Sequence, residues 1–201
     1  MLPIRTQRLL LRPFESGDAP ALAAYRSDPE VARYQSWTAP YSLESAQKLI
    51  QPLLSRRLAP PAPGEWNQIA IELLTSISST PGDPRRSDGA IIGDCVFRVD
   101  PQDIRQASVG YTLARLHQHH GYATEAVLGL LGALFDGLNL HRVTAMCDAE
   151  NGPSQRLLER IGMRREAHFV QNVFFKGAWG SEFAYAMLKS EWTGRDARAQ
   201  G

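Results

Sequence analysis

The chain has 201 residues, 43% hydrophobic and 21% charged, with a formal net charge of +1 at pH 7. That length is one domain by the usual prior, and the composition is that of a globular protein able to bury a sizeable core. The near-neutral balance excludes a general nucleic-acid or membrane-surface binder, which needs a large basic excess.

In chain order, Arg8 to Phe14 reads as a strand, with Thr6 before it. The opening segment carries Arg5, Arg8 and Arg12 and no apolar h-region, so no secretory signal is expected. Asp18 is placed to N-cap a helix whose Ala21, Leu22 and Tyr25 share a face. Asp28-Pro29-Glu30 starts a second short helix with proline at its first position. The polar connector that follows holds Tyr34 and Trp37 and leads into Pro40-Tyr41. These aromatics either line a groove or close the edge of the core, and the sequence leaves both open. Ser42 N-caps an amphipathic helix running toward Arg57, which Pro52 is expected to kink or split at Gln51. Ala59 to Gly64 is a stiff connector and not a domain boundary.

Trp66 to Ser76 and Ala90 to Asp100 are strand-like, joined by a loop over 76–89 that is longer than a usual hairpin connection. Gly93 inside the second strand implies a bulge or a close backbone approach. Cys95 and Cys147 lie in apolar strand-like runs and read as buried free thiols, as in a reducing cytoplasm. Ala107 to Ala114 alternates as a strand, Arg115 to Gly121 is a polar turn, and Tyr122 to Leu138 is a long apolar helix. A strand, a tight turn and a helix opening at glycine make an anion-binding device, because the first helical N–H groups lack partners and carry the positive end of the dipole. Gly121 lets the backbone come close to such an anion. The uncharged run from Ala126 to Phe135 is too short to span a bilayer. His141 to Cys147 is a buried strand, and Asn151 opens a helix to Ile161. Arg164 to Phe175 and Glu182 to Leu188 form a last hairpin with its loop over 176–180. His117, His119, His120 and His141 lack the paired local spacing of a zinc site, so no metal is expected.

The turn Gln118-His119-His120-Gly121-Tyr122-Ala123 has the form Gln/Arg-x-x-Gly-x-Gly/Ala and continues as Gly-Tyr-Ala-Thr-Glu-Ala. With it stand Thr6-Gln7-Arg8-Leu9-Leu10-Leu11-Arg12, Ile92-Gly93-Asp94, Asn151-Gly152-Pro153-Ser154 and Ile161-Gly162-Met163. On these residues the chain resembles the GNAT superfamily of N-acetyltransferases, nearest its RimJ/RimL-like ribosomal-protein branch. The resemblance implies one α/β (α+β) domain with its core over about residues 6–190 and a tail over 191–201. It implies a mixed, mostly antiparallel sheet of about seven strands, helices on both faces, and a splayed parallel central pair. It implies acetyl-CoA as cosubstrate and a primary amine as acceptor, either a protein N-terminus or a small molecule, with no nucleic-acid or membrane partner.

By the same resemblance, backbone groups of Tyr111, Thr112 and Leu113 pair with the pantetheine arm. Gln118, His119, His120, Gly121, Tyr122, Ala123 and Thr124 form the pyrophosphate turn. Asn151 contacts the cofactor arm, and Ser154 is the acid at the leaving thiolate. Tyr34, Trp37 and Trp179, in connectors, surround the acceptor. Plain helix capping would account equally for Asn151 and Ser154. A cytoplasmic monomer or homodimer is expected. Two departures stand out: Leu158 occupies the position of a common tyrosine acid, and Met146 that of a common glutamate base. The base is unassigned among Glu72, Asp94, Asp148, Glu150 and Glu182. The departures motivate a rival reading, a non-catalytic acyl-CoA-binding regulatory module.

Overall fold

The computed structural model describes residues 2–55, 61–74 and 89–193. Residues 76–88 of the expected loop over 76–89, and the end of the expected tail, lie outside them. The strands are β1 (Ile4–Arg5), β2 (Leu9–Pro13), β3 (Asn67–Leu73), β4 (Ile91–Val99), β5 (Gln106–Leu113), β6 (Arg142–Asp148), β7 (Arg164–Phe175) and β8 (Ala178–Leu188). The helices are α1 (Ala19–Arg26), α2 (Pro29–Ala32), α3 (Leu43–Leu54), α4 (Tyr122–Gly132) and α5 (Gly152–Arg160). The eight strands form one mixed sheet in the order β1-β2-β3-β4-β5-β6-β8-β7. The count exceeds the expected seven through β1, a two-residue strand paired with Leu10 and Leu11.

The chain divides into two compact units. The first holds residues 1–60, 67–96 and 111–130. In it β2 and β3 pair antiparallel from Leu9↔Leu73 to Pro13↔Ile69. Phe14, Leu22, Tyr25, Ala46, Ile50, Ala70 and Ile91 make a buried cluster from α1, α3 and the strands. Asp28 caps α2 through the N–H of Glu30, and Ser42 caps α3 through the N–H of Ser45, as their sequences imply. Asp18 does not cap α1. Its carboxylate is taken by the Arg12 guanidinium at 2.9 and 3.0 Å and by the Glu15 N–H at 2.7 Å. The α3 helix is not split at Gln51 either. Pro52 falls in the last turn, where it removes one hydrogen bond and leaves little helix beyond it to displace.

The second unit holds residues 61–66, 97–110 and 131–201. Here β6 pairs antiparallel with β8 from Arg142↔Leu188 to Asp148↔Glu182, and β7 pairs with β8. The first half of β5 runs parallel to β6 through four pairs, from Gln106↔Arg142 to Val109↔Ala145, and the pairing stops there. Past Gly132 the helix loosens into a π-helical turn over Ala133–Gly137, so α4 ends earlier than the apolar pattern implies. The Trp192 ring lies 3.4 Å from where a Cβ on Gly132 would stand, and stacks on Phe135 at 5.8 Å. The last hairpin turns through Lys176 and Gly177 alone, with φ of 49° and 86°, the two positive angles of a type I′ turn. Trp179 therefore lies inside β8, opposite Phe174, and not in a connector.

Candidate active site

In the first unit the end of β5 is shaped by β4. A Cβ on Gly93 would stand 2.2 Å from the Thr112 carbonyl oxygen and 3.0 Å from the Leu113 Cα, so only glycine admits this approach. Along β5 the alternation of burial breaks at the same place. Gly110 and Tyr111 are both half-buried, and Thr112 and Leu113 both buried. A residue out of phase is the mark of a bulge.

Beyond β5 the chain folds back sharply. Ala114 N–H donates to the Ile92 carbonyl at 2.7 Å, and the Gln118 side-chain amide donates to the Leu113 carbonyl at 3.1 Å. A 3₁₀ turn over Arg115–His117 follows. His119 and Gly121 both have left-handed backbones, φ 66° and 79°. These angles swing the chain into α4, where the Glu125 N–H donates back to the Gly121 carbonyl at 3.0 Å. The N–H groups of Tyr122, Ala123 and Thr124 precede that bond, so they have no acceptor within the helix and sit at its positive pole. The His120 ring stacks on Tyr122 at 5.7 Å and its Nδ1 lies 2.6 Å from the Gln118 carbonyl. Burial, with a smaller contribution from His120, pushes the His117 pKa below its usual value, so His117 is neutral at pH 7. These side chains are used within the turn. Among the described residues no group of three or more His, Cys, Asp or Glu is arranged to hold a metal.

Two residues at this turn escape sequence reasoning. Glu125, in the first turn of α4, accepts Thr6 Oγ1 at 2.6 Å, Arg8 N–H at 2.7 Å and Arg8 Nε at 2.7 Å. Burial alone would raise its pKa, but those hydrogen bonds and the Arg8 charge outweigh burial and hold it below the usual carboxylate value. The Arg8 guanidinium also donates to the His120 carbonyl at 3.0 Å and lies over the Tyr122 ring at 4.6 Å. Thr6, Arg8 and Glu125 each stood in a motif, but 117 residues separate Arg8 from Glu125, and no local signal joins them.

The turn combines N–H groups at a helix start, the helix dipole, the Arg8 cation and a glycine, features that suit an anion. A family model described as an acetyltransferase (GNAT) domain matches residues 8–164. The chain belongs to the GNAT acetyltransferases. This GNAT enzyme transfers an acetyl group to an amine. It is 31% identical to the uncharacterised N-acetyltransferase p20 of Bacillus licheniformis over 96% of its own length and 100% of that protein's. Among solved structures it is similar to a GNAT-family acetyltransferase from Bacillus anthracis, with TM-score 0.76 and 27% identity over 94% of this chain and 99% of that one. It shares its fold with RimL, a ribosomal L7/L12 α-N-protein acetyltransferase in complex with coenzyme A, at TM-score 0.71 and 19% identity over 91% of this chain and 95% of that one.

In the second unit, Asn151 caps α5 of the GNAT chain by accepting the Ser154 N–H at 3.2 Å. The Ser154 hydroxyl hydrogen-bonds the Cys147 thiol, whose pKa burial pushes up to about 11 against that bond. Leu158 is fully buried, so its position offers no surface for an acid, and Met146 is 48% exposed. Cys95 and Cys147 are buried free thiols.

The candidate bases are variously occupied. Buried Asp94 accepts the Tyr25 hydroxyl, Arg26 Nη2 at 3.1 Å and Gln68 Nε2 at 3.1 Å. Glu72 is bound to Arg12, Glu182 accepts Asn172 Nδ2 at 2.6 Å, and Asp148 accepts the N–H of Glu150 at 2.7 Å. Asp148 and Glu182 stand directly opposite each other across β6 and β8, a like-charge pair that costs stability. Of the acceptor candidates, Trp37 lies over the Arg26 guanidinium at 4.0 Å and donates Nε1 to the Arg26 carbonyl at 3.0 Å. It packs at the edge of the α1 and α3 core. Tyr34 is half-buried beside Arg33, and Trp179 is 61% exposed.

Proposed function

We propose that this enzyme uses acetyl-CoA and acetylates the N-terminal α-amine of a peptide or protein, in the manner of the RimJ/RimL-like branch. The observation that carries the cosubstrate is the turn over 118–124, with its free N–H groups at the start of α4. The acceptor class is supported by the last hairpin. Phe169, Val170, Phe174 and Trp179 expose apolar surface there, beside the opposed carboxylates of Asp148 and Glu182. Apolar strand surface suits an extended peptide, and paired carboxylates suit a cationic N-terminus.

Bound acetyl-CoA supplies an activated thioester carbonyl. In this reading the backbone of Tyr111 to Leu113 pairs with the cofactor arm, residues 118–124 hold its diphosphate, and Asn151 contacts the arm while capping α5. The Ser154 hydroxyl donates to the leaving sulfur, a role within the reach of one hydrogen-bond donor. The acceptor has to lose a proton before attack. A free α-amine with a pKa of about 8 is partly neutral at pH 7, and it is this neutral fraction that attacks, the cation drawn in by the carboxylates passing its proton to water before it leaves them.

An acceptor screen tests the reading. Acetyl-CoA is supplied with peptides of varied N-termini, the same peptides N-terminally blocked, polyamines and amino sugars, and CoA thiol is measured. Turnover confined to unblocked peptides is expected. Turnover on polyamines or amino sugars alone would replace the acceptor class.

A further inference from the structure

We propose that Arg8 is the cationic arm of the cofactor-phosphate site, reaching the turn from the opening segment of the chain. The inference rests on the acetyl-CoA reading above and deepens it.

The segment presents Arg8 by a short local turn. Thr6 N–H donates to the Leu9 carbonyl at 2.9 Å, and Leu9 N–H donates to Thr6 Oγ1 at 3.0 Å. Gln7 and Arg8 lie between them, and the Arg8 side chain reaches the start of α4. A guanidinium carries five N–H donors in a fixed fork. The Nε donor goes to Glu125 Oε2 and an Nη1 donor to the His120 carbonyl. Nη2 lies 3.3 Å from where a Cβ on Gly121 would stand, so it faces the one residue of the turn that has no side chain. The Arg8 side chain is 42% exposed, and its Nη2 has no hydrogen-bond partner among the described residues.

Charge gives this arrangement a purpose beyond packing. Glu125 is an anion in the first turn of α4, where it would repel an incoming phosphate. The Arg8 guanidinium neutralises it at 2.7 Å, and Thr6 and the Arg8 N–H take up its lone pairs. What the phosphate then meets is the helix dipole and the outer donors of a fork held from both sides. Arginine is suited to this, because its planar donors match phosphate oxygens two at a time. The Arg8 contact to the His120 carbonyl also holds the turn in the shape that aims its N–H groups outward.

The experiment compares CoA with pantetheine, which lacks the nucleotide and diphosphate, by calorimetry on the wild type, Arg8→Ala, Glu125→Gln and the double variant. Melting curves check that each is folded. Arg8→Ala should weaken CoA binding roughly 10- to 100-fold, the range for a lost hydrogen bond to a charged group. Pantetheine binding should stay within about twofold, the size of an ordinary surface substitution. The loss should persist in the Glu125→Gln background, because the phosphate contact itself is gone. Three results overturn the proposal: unchanged CoA affinity in folded Arg8→Ala, equal losses for CoA and pantetheine, or restored CoA affinity in the double variant, which would reduce Arg8 to the partner of Glu125. Failure of the wild type to bind CoA at all would instead refute the acetyl-CoA reading.

Discussion

Replacing Gly121 separates backbone geometry from charge at the phosphate turn. Gly121 has φ 79°, in the left-handed region. An alanine there costs about 1–2 kcal/mol in the folded state. Its reduced freedom in the unfolded chain returns about 0.4–1 kcal/mol. The net loss is then about 1 kcal/mol, or about 2–4 °C in melting temperature for a chain of this size. The new Cβ would stand 3.3 Å from Arg8 Nη2, the far end of a flexible side chain that can give way. The larger effect falls on binding. If the strained turn relaxes in the free protein, binding has to restore it, which weakens CoA about 5- to 30-fold for 1–2 kcal/mol. Gly121→Asp carries the same strain and adds a negative charge against Arg8, where it competes with the phosphate for one fork. It should bind CoA more weakly than Gly121→Ala by a further factor of about 2–5, the scale of a single charge at a helix terminus. Calorimetric affinities and thermal melts of the three proteins decide the matter. An Asp variant that binds CoA as well as the Ala variant would remove the phosphate from this turn.

Three further outcomes are expected. Ser154→Ala should lower kcat about 10- to 100-fold with little change in the KM for acetyl-CoA, whereas Asn151→Ala should raise that KM and cost about 1 kcal/mol of stability through the lost α5 cap; steady-state kinetics at varied acetyl-CoA check both. Glu125 titrates below its ordinary value, so its contribution is complete above the unfolded carboxylate range and lost as pH falls through the lower folded pKa; between about pH 5 and pH 3 the wild-type melting temperature should therefore fall more steeply than that of Glu125→Gln. Gly93→Ala, whose Cβ would stand 2.2 Å from the Thr112 carbonyl, forces β4 and β5 apart at about 3 kcal/mol, visible by circular dichroism as a melting temperature lower by about 6–12 °C.

Features set by neighbouring residues were legible in the sequence. The caps of α2, α3 and α5 follow from Asp28, Ser42 and Asn151, and the start of α4 follows from Gly121. Gly93 announced a close approach without naming its partner, the Thr112 carbonyl. Features settled by distant partners were not legible. Asp18 has the residue type of a cap, yet its carboxylate is held by Arg12 and the Glu15 N–H and caps nothing in α1. Trp37 stands in a polar connector, and only the buried Arg26 beneath it explains its packing. The sequence does not reveal that a two-residue turn closes the hairpin, so Trp179 reads as a loop residue yet stands in β8. At the candidate site, the Gln118–Thr124 turn was readable from its glycine and spacing. The Thr6, Arg8 and Glu125 clamp required the fold that brings residues 6–8 against the start of α4.

Acetyl transfer to an amine here proceeds with Leu158 and Met146 at the positions of the common tyrosine and glutamate. The most direct measurement is mass spectrometry of an unblocked peptide incubated with enzyme and acetyl-CoA, with CoA thiol release followed in the same reaction. The prediction is a gain of one acetyl group at the N-terminus, equal in amount to the thiol released and weakened by Gly121→Asp. Tight binding of acetyl-CoA with no acetylated product on any amine would contradict the account.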